Sequence, residues 1–162
     1  MLLSIWRHGE SGPGSPDIDR TLTARGEAEV DRGGEAFAAQ LRARRLPLPD
    51  TLLHSRWRRT TQTADRLCAV LPRARRETLE ALIPDRDLHV AQAAVAPYVD
   101  ASAHLVLVSH QPMVSALIDR WTGAPGAVPP LSPGAYAVLD LSVLAPGCAT
   151  LLWWSAPPEY PV

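Results

Sequence analysis

The sequence predicts a three-layer α/β/α sandwich on a mostly parallel central sheet. Three observations carry this reading. Apolar runs at 2–6, 51–54 and 104–108 have the length of buried strands. Longer segments with helical apolar spacing separate them, the alternation that builds parallel sheets. Each run leads into polar sequence holding histidine or arginine, and open α/β sheets bind ligands beyond the carboxyl ends of their strands.

The elements follow in order. Residues 2–6 (Leu-Leu-Ser-Ile-Trp) read as a strand, and residues 7–20 as a Gly/Pro/Ser-rich loop. Thr23 is placed to cap a helix running to about Arg44, with Ala28, Val30, Ala36, Phe37 and Leu41 as its apolar positions. A second strand at 51–54 precedes Ser55, a candidate cap for a helix to about Leu71. A third helix spans 88–99 with Pro97 near its end, then come the strand at 104–108 and a short helix at 113–121. Two late strands, about 135–141 and 149–154, are joined by a short connection with Pro146-Gly147 and should be antiparallel. With no repeat or linker, residues 1–162 read as one domain.

Composition removes several classes of function. A net charge of −1 gives no general attraction to nucleic acid or anionic membranes. No apolar stretch approaches the roughly 18 residues that span a bilayer. No basic segment precedes an apolar run at the N-terminus, so the expectation is a cytoplasmic protein without a secretory signal. All 16 basic residues are arginine, which excludes Schiff-base and P-loop lysine chemistry. Codon bias in a GC-rich genome accounts for that, so arginine abundance is not itself a functional signal. Cys68 and Cys148 lack metal spacing and read as core thiols. No histidine or acidic pattern offers a metal site. The five tryptophans read as core or surface-groove residues.

The candidate chemistry lies at three strand ends. Arg7-His8-Gly9-Glu10 follows the first run, His54-Ser55 closes the second, and Ser109-His110-Gln111 follows the third. Arginine offers a permanent charge and a donor fork that fits phosphate oxygens. Histidine is a nucleophile at neutral pH. Together, Arg7-His8-Gly9, the Ser55…Arg59…Gln62-Thr63 segment and Ser109-His110 resemble the histidine phosphatase superfamily, also called phosphoglycerate mutase-like. Within it the chain is most similar to the SixA phosphohistidine phosphatases. Arg20-Thr21-Leu22-Thr23-Ala24-Arg25-Gly26 resembles that family's Arg-Pro-Leu-Thr-x-x-Gly segment. The likeness covers nearly the whole chain and implies a phosphoglycerate mutase-like fold without large lid insertions.

The resemblance also implies roles. His8 is the nucleophile that forms a phosphohistidine, Arg7 and Arg59 hold the phosphoryl oxygens, and His110 donates to one of them. Ser11 is a further phosphate ligand, and Glu10 orients its neighbours. Many relatives use a glutamate from the 78–88 segment as general acid. Aligning on Pro84 puts Ala81 at that position and Glu80 one residue early. Glu80 is therefore the acid, a displaced acid or a solvated carboxylate, and the sequence leaves these open. His54, His89 and His104 read as structural, and Arg56 and Arg58 as a solvated face.

The expected activity is a metal- and cofactor-independent phosphohydrolase. The expected substrate is phosphohistidine on a signalling phosphotransfer protein, since without lids a protruding histidine can reach His8. The alternatives are a phosphatase for small phosphomonoesters, a mutase, and a non-catalytic phosphate-binding module.

Overall fold

The computed structural model describes residues 1–161; Val162, the last residue of the expected 1–162 domain, lies outside the described residues. Six strands form one sheet in the order β3-β2-β4-β1-β5-β6. They are β1 (Leu2–Arg7), β2 (Thr51–His54), β3 (Arg75–Thr78), β4 (His104–Ser109), β5 (Tyr136–Leu141) and β6 (Ala149–Ser155). The β1/β4, β2/β4 and β2/β3 pairs are parallel, and β5 is antiparallel to both β1 and β6.

Helices cover both faces, because strands this apolar must be shielded on each side. On one face, Val30, Phe37, Ala38 and Leu41 of α1 (Ala24–Ala43) and Ala64 and Leu67 of α2 (Arg58–Val70) pack on Trp6, Leu52, Val106 and Val138. On the other, Ala91 and Val95 of α3 (Leu88–Val99) and Val114, Leu117 and Trp121 of α4 (Met113–Thr122) pack on Leu3, Ile5, Leu53, Leu105 and Leu107. The expected sandwich and its strand directions are thus observed.

Several local expectations need correction. Thr23 caps α1, its side chain accepting from the Gly26 amide, but Ala28 is exposed. The buried stripe of α1 passes through Val30, Gly33, Gly34, Phe37 and Leu41, and position 28 falls off it. Ser55 does not cap α2; the cap position is Trp57 and it makes no side-chain cap bond. β3 carries Arg-Arg-Glu-Thr and no apolar alternation, as befits an exposed sheet edge, so hydrophobic pattern could not reveal it. A 3-10 turn at Asp17–Asp19 interrupts the 7–20 loop, and another lies at Glu80–Leu82. Cys68 and Cys148 are half-buried free thiols rather than core residues.

Candidate active site

The parallel strands β1, β2 and β4 end side by side, Arg7 opposite Ser109 and His54 opposite Val108. The residues just beyond them border a cavity of about 360 Å³. Arg7, His8, Glu10, Ser11, Asp17 and Arg20 line it from β1 and the following loop; Trp57 and Arg59 from the start of α2; His110 and Gln111 from beyond β4. Pro84, Asp85 and Pro133 complete the rim.

The loop after β1 is held by the start of α1. Thr23 donates its amide to the Glu10 carbonyl (2.9 Å) and its hydroxyl to the Glu10 carboxylate (2.8 Å). Gly26 is required here: a Cβ at this position would sit 2.2 Å from the Glu10 carbonyl oxygen. The other anchors come from α2. Gln62 Oε1 accepts the Leu22 amide at 2.8 Å, and Thr63 Oγ1 accepts the Gly9 amide at 3.1 Å. Gln62 and Thr63 of the middle motif therefore position the His8 loop.

His8 is buried, with Nδ1 2.7 Å from the carbonyl oxygen of Gly9. A carbonyl only accepts, so Nδ1 carries the proton and Nε2 presents a lone pair. Arg59 Nε donates to that Nε2 at 3.1 Å. Burial, opposed by the Gly9 carbonyl and reinforced by Arg59, Arg7 and Arg20, pushes the His8 pKa down to about 4. The ring is therefore neutral near neutral pH, with Nε2 unprotonated.

His110 faces His8 with ring centroids 5.1 Å apart. Its pKa is pushed down to about 2, first by burial and then by His8, Arg59 and Arg7, with Asp17 opposing. Its Nε2 lies 2.7 Å from Ser55 Oγ, while Nδ1 is buried without a hydrogen-bond partner. Arg7 Nη1 donates to the Leu131 carbonyl at 2.9 Å, and its Nε is buried and unpartnered. Arg59 is buried at the second position of α2, where its guanidinium stacks 4.6 Å over Trp57. Its Nη1 and Nη2 reach the Asp17 carbonyl (2.8 Å) and carboxylate (3.2 Å). Arg20 ties the rim together, donating to Gly12 O (2.7 Å), Asp17 Oδ1 (2.9 Å) and Ser11 Oγ (3.0 Å).

Arg7, His8, Ser11, Arg59 and His110 thus converge, and Glu80 does not join them. Its carboxylate is 53% exposed, pairs with Arg56 at 2.9 Å and Arg86 at 3.7 Å, and lies outside the cavity lining. The carboxylates that line the cavity are Glu10, Asp17 and Asp85. Sequence reasoning did not find Asp17, Arg20 or Asp85, because loop residues carry no periodic signal. Trp57, one of the tryptophans expected in the core or a surface groove, walls the site against Arg59 and His110.

Of the remaining histidines, His89 is exposed and the other two are structural. Buried His54 bonds the Ser55 carbonyl, and buried His104 bridges Ser4 and the Pro47 carbonyl. A second cavity of similar volume borders Glu27, Asp31, Gln62, Asp65 and Arg66, but Arg66 is already paired with Glu27 and Asp31 there. Among the described residues, no three His, Cys, Asp or Glu side chains are grouped to hold a metal, and no helix is long and apolar enough to cross a membrane.

No protein-family model matches the sequence, and no curated protein does. Solved structures do match. The protein histidine phosphatase SixA complexed with tungstate is 24% identical with a TM-score of 0.79, covering 96% of this chain and 97% of that one. A chain named SixA from Agrobacterium tumefaciens is 22% identical with a TM-score of 0.77, over 96% and 97%. A mycobacterial glucosyl-3-phosphoglycerate phosphatase complexed with VO3 is 15% identical with a TM-score of 0.71, over 96% and 99%. The chain has the fold of these phosphatases, without large insertions relative to SixA.

Proposed function

We propose that this chain is a phosphohydrolase of the histidine phosphatase superfamily that works through a phosphohistidine on His8. One observation carries the reading: a neutral imidazole whose unprotonated Nε2 accepts from Arg59, with His110 across the same cavity and Arg7 on its wall. Nε2 attacks phosphorus in line, forming an N–P bond as the bond to the leaving group breaks. Water then attacks the phosphohistidine, releasing phosphate and restoring the imidazole. Arg7, Arg59 and Ser11 hold the phosphoryl oxygens and, with His110, balance the developing charge. Tungstate and VO3 in fold neighbours support an oxyanion in this role.

The proposed substrate is phosphohistidine on a partner phosphotransfer protein. Two features support it. The chain has no inserted segment over the site, and Glu80, the sequence's candidate acid, is turned to solvent. A leaving imidazole needs less proton donation than an alkoxide. A small phosphomonoester is the second reading, favoured by Asp85, a carboxylate on the cavity rim that could serve an alkoxide.

A substrate panel with alkaline-quench trapping tests both. The expected result is a labelled, acid-labile phosphoenzyme on His8 and faster turnover of phosphohistidine protein than of monoesters, unaffected by chelators. Faster monoester turnover selects the second reading. No phosphoenzyme with either substrate overturns the covalent mechanism.

A further inference from the structure

A hydrogen-bonded chain reaches the cavity from behind. Ser55 is fully buried beyond β2, and its Oγ accepts the Trp57 amide at 3.3 Å. The same Oγ lies 2.7 Å from Thr60 Oγ1 and 2.7 Å from His110 Nε2. Thr60 Oγ1 also lies 2.9 Å from the Ser55 carbonyl oxygen and 2.7 Å from that of Trp57.

Counting protons assigns the tautomer. Carbonyls only accept, so the Thr60 proton goes to one of them. The contact between the two hydroxyls then takes its proton from Ser55. Ser55 has no second proton, so its contact with His110 takes the proton from Nε2. This arrangement gives both hydroxyl protons and the His110 Nε2 proton an acceptor. It leaves Nδ1 of His110 as a buried, unpartnered lone pair on a ring that lines the cavity.

A bare lone pair repels a dianion. We propose that the Ser55–Thr60 chain positions His110 with its proton on Nε2, and that a tetrahedral dianion entering the cavity binds together with one proton from solvent, taken up at His110 Nδ1. This rests on reading the cavity as the phosphoryl site. The bound state is an imidazolium donating to the anion through Nδ1 and to Ser55 through Nε2. In the free protein, burial and the cations His110 meets, Arg7 from β1 and Arg59 from α2, hold it neutral, with His8 also disfavouring its charge and Asp17 favouring it. Glu10, Arg20 and Asp85 complete the charged groups around the cavity. Two negative charges in contact with the ring reverse that balance.

Sulfate is the probe, because it does not titrate near neutrality. Calorimetry at pH 5 in buffers of different ionisation enthalpy should show uptake approaching one proton per sulfate. Affinity should fall as pH rises, approaching tenfold per unit. Uptake should persist in His8→Asn and vanish in His110→Gln. On saturation, the ¹⁵N resonance of His110 Nδ1 should move from the unprotonated to the imidazolium position. Ser55→Ala should mix the two neutral tautomers of free His110 and weaken sulfate about tenfold, with Ser55→Thr restoring both. Should Ser55→Ala not fold, the unmodified protein's calorimetry and ¹⁵N spectrum decide the matter. Sulfate binding without proton uptake, or uptake that survives His110→Gln, overturns the proposal. No sulfate binding overturns the anion-site reading itself, and the proposal with it.

Discussion

Arg59 Nε donates to Nε2 of His8 across 3.1 Å, while the far side of the same guanidinium grips Asp17. The free site is therefore closed on itself. The nitrogen proposed as nucleophile and the carboxylate of a rim residue occupy donor directions that phosphoryl oxygens would use. A substrate must displace both from Arg59 before attack.

Asp17→Asn should loosen this grip. Asp17 is 51% exposed, so its pair with Arg59 contributes on the order of 1 kcal/mol or less. Removing the charge should tighten inhibition by tungstate or product phosphate by roughly threefold to fivefold at low salt, an effect that fades as salt rises. Unchanged or weaker inhibition would show that Asp17 does not compete with the anion.

Removing the nucleophile and removing the clamp should differ in kind. His8→Ala should abolish turnover and phosphoenzyme formation while the thermal transition persists. Arg59→Ala should retain phosphoenzyme chemistry but lose roughly 3–5 kcal/mol of transition-state stabilisation, read as kcat/KM. Residual turnover in His8→Ala matching that of Arg59→Ala would point to another nucleophile.

Carboxylate substitutions separate the two readings of the leaving group. Glu80 is solvated and paired with Arg56 and Arg86, so Glu80→Gln should change turnover of phosphohistidine and of a phosphomonoester by less than about twofold. Asp85 lines the cavity and makes no side-chain hydrogen bond or ion pair among the described residues. Asp85→Asn should slow the monoester by about tenfold or more and phosphohistidine much less. A large Glu80→Gln effect on the monoester would mean that the 80–82 turn moves during catalysis.

His104 sets an acid limit on the fold. It is fully buried between Ser4 and Pro47, and burial pushes its pKa down to about 4. Unfolded, it titrates near 6.5, so below that pH the unfolded chain binds the extra proton. Its contribution is intact above about pH 6.5 and is lost as pH falls toward 4, by about 3 kcal/mol in all. His104→Gln should flatten the fall in denaturant midpoint between pH 6.5 and 4. An unchanged slope would place the acid sensitivity elsewhere, with buried His110 and His8 the first candidates.

What the sequence by itself determined is the layer architecture and the cationic centre. Buried strands declare themselves as unbroken apolar runs, and α1 declares itself through the Thr23 cap and its spacing. His8, Arg7, Arg59 and His110 were legible because each sits at a strand end or helix start inside a recognisable local motif. Only the tertiary structure decided the rest. Edge strand β3 is charged, so burial pattern could not mark it. Asp17 and Arg20 reach the site through the path of an irregular loop, and Ser55 links Thr60 of α2 to His110, 55 residues away. Glu80 fell outside the cavity because Arg56 and Arg86 hold it at the surface. Periodicity reports which face of an element is buried. It does not report which atoms from distant elements meet, because loop paths and side-chain hydrogen bonds are settled only when the whole chain packs.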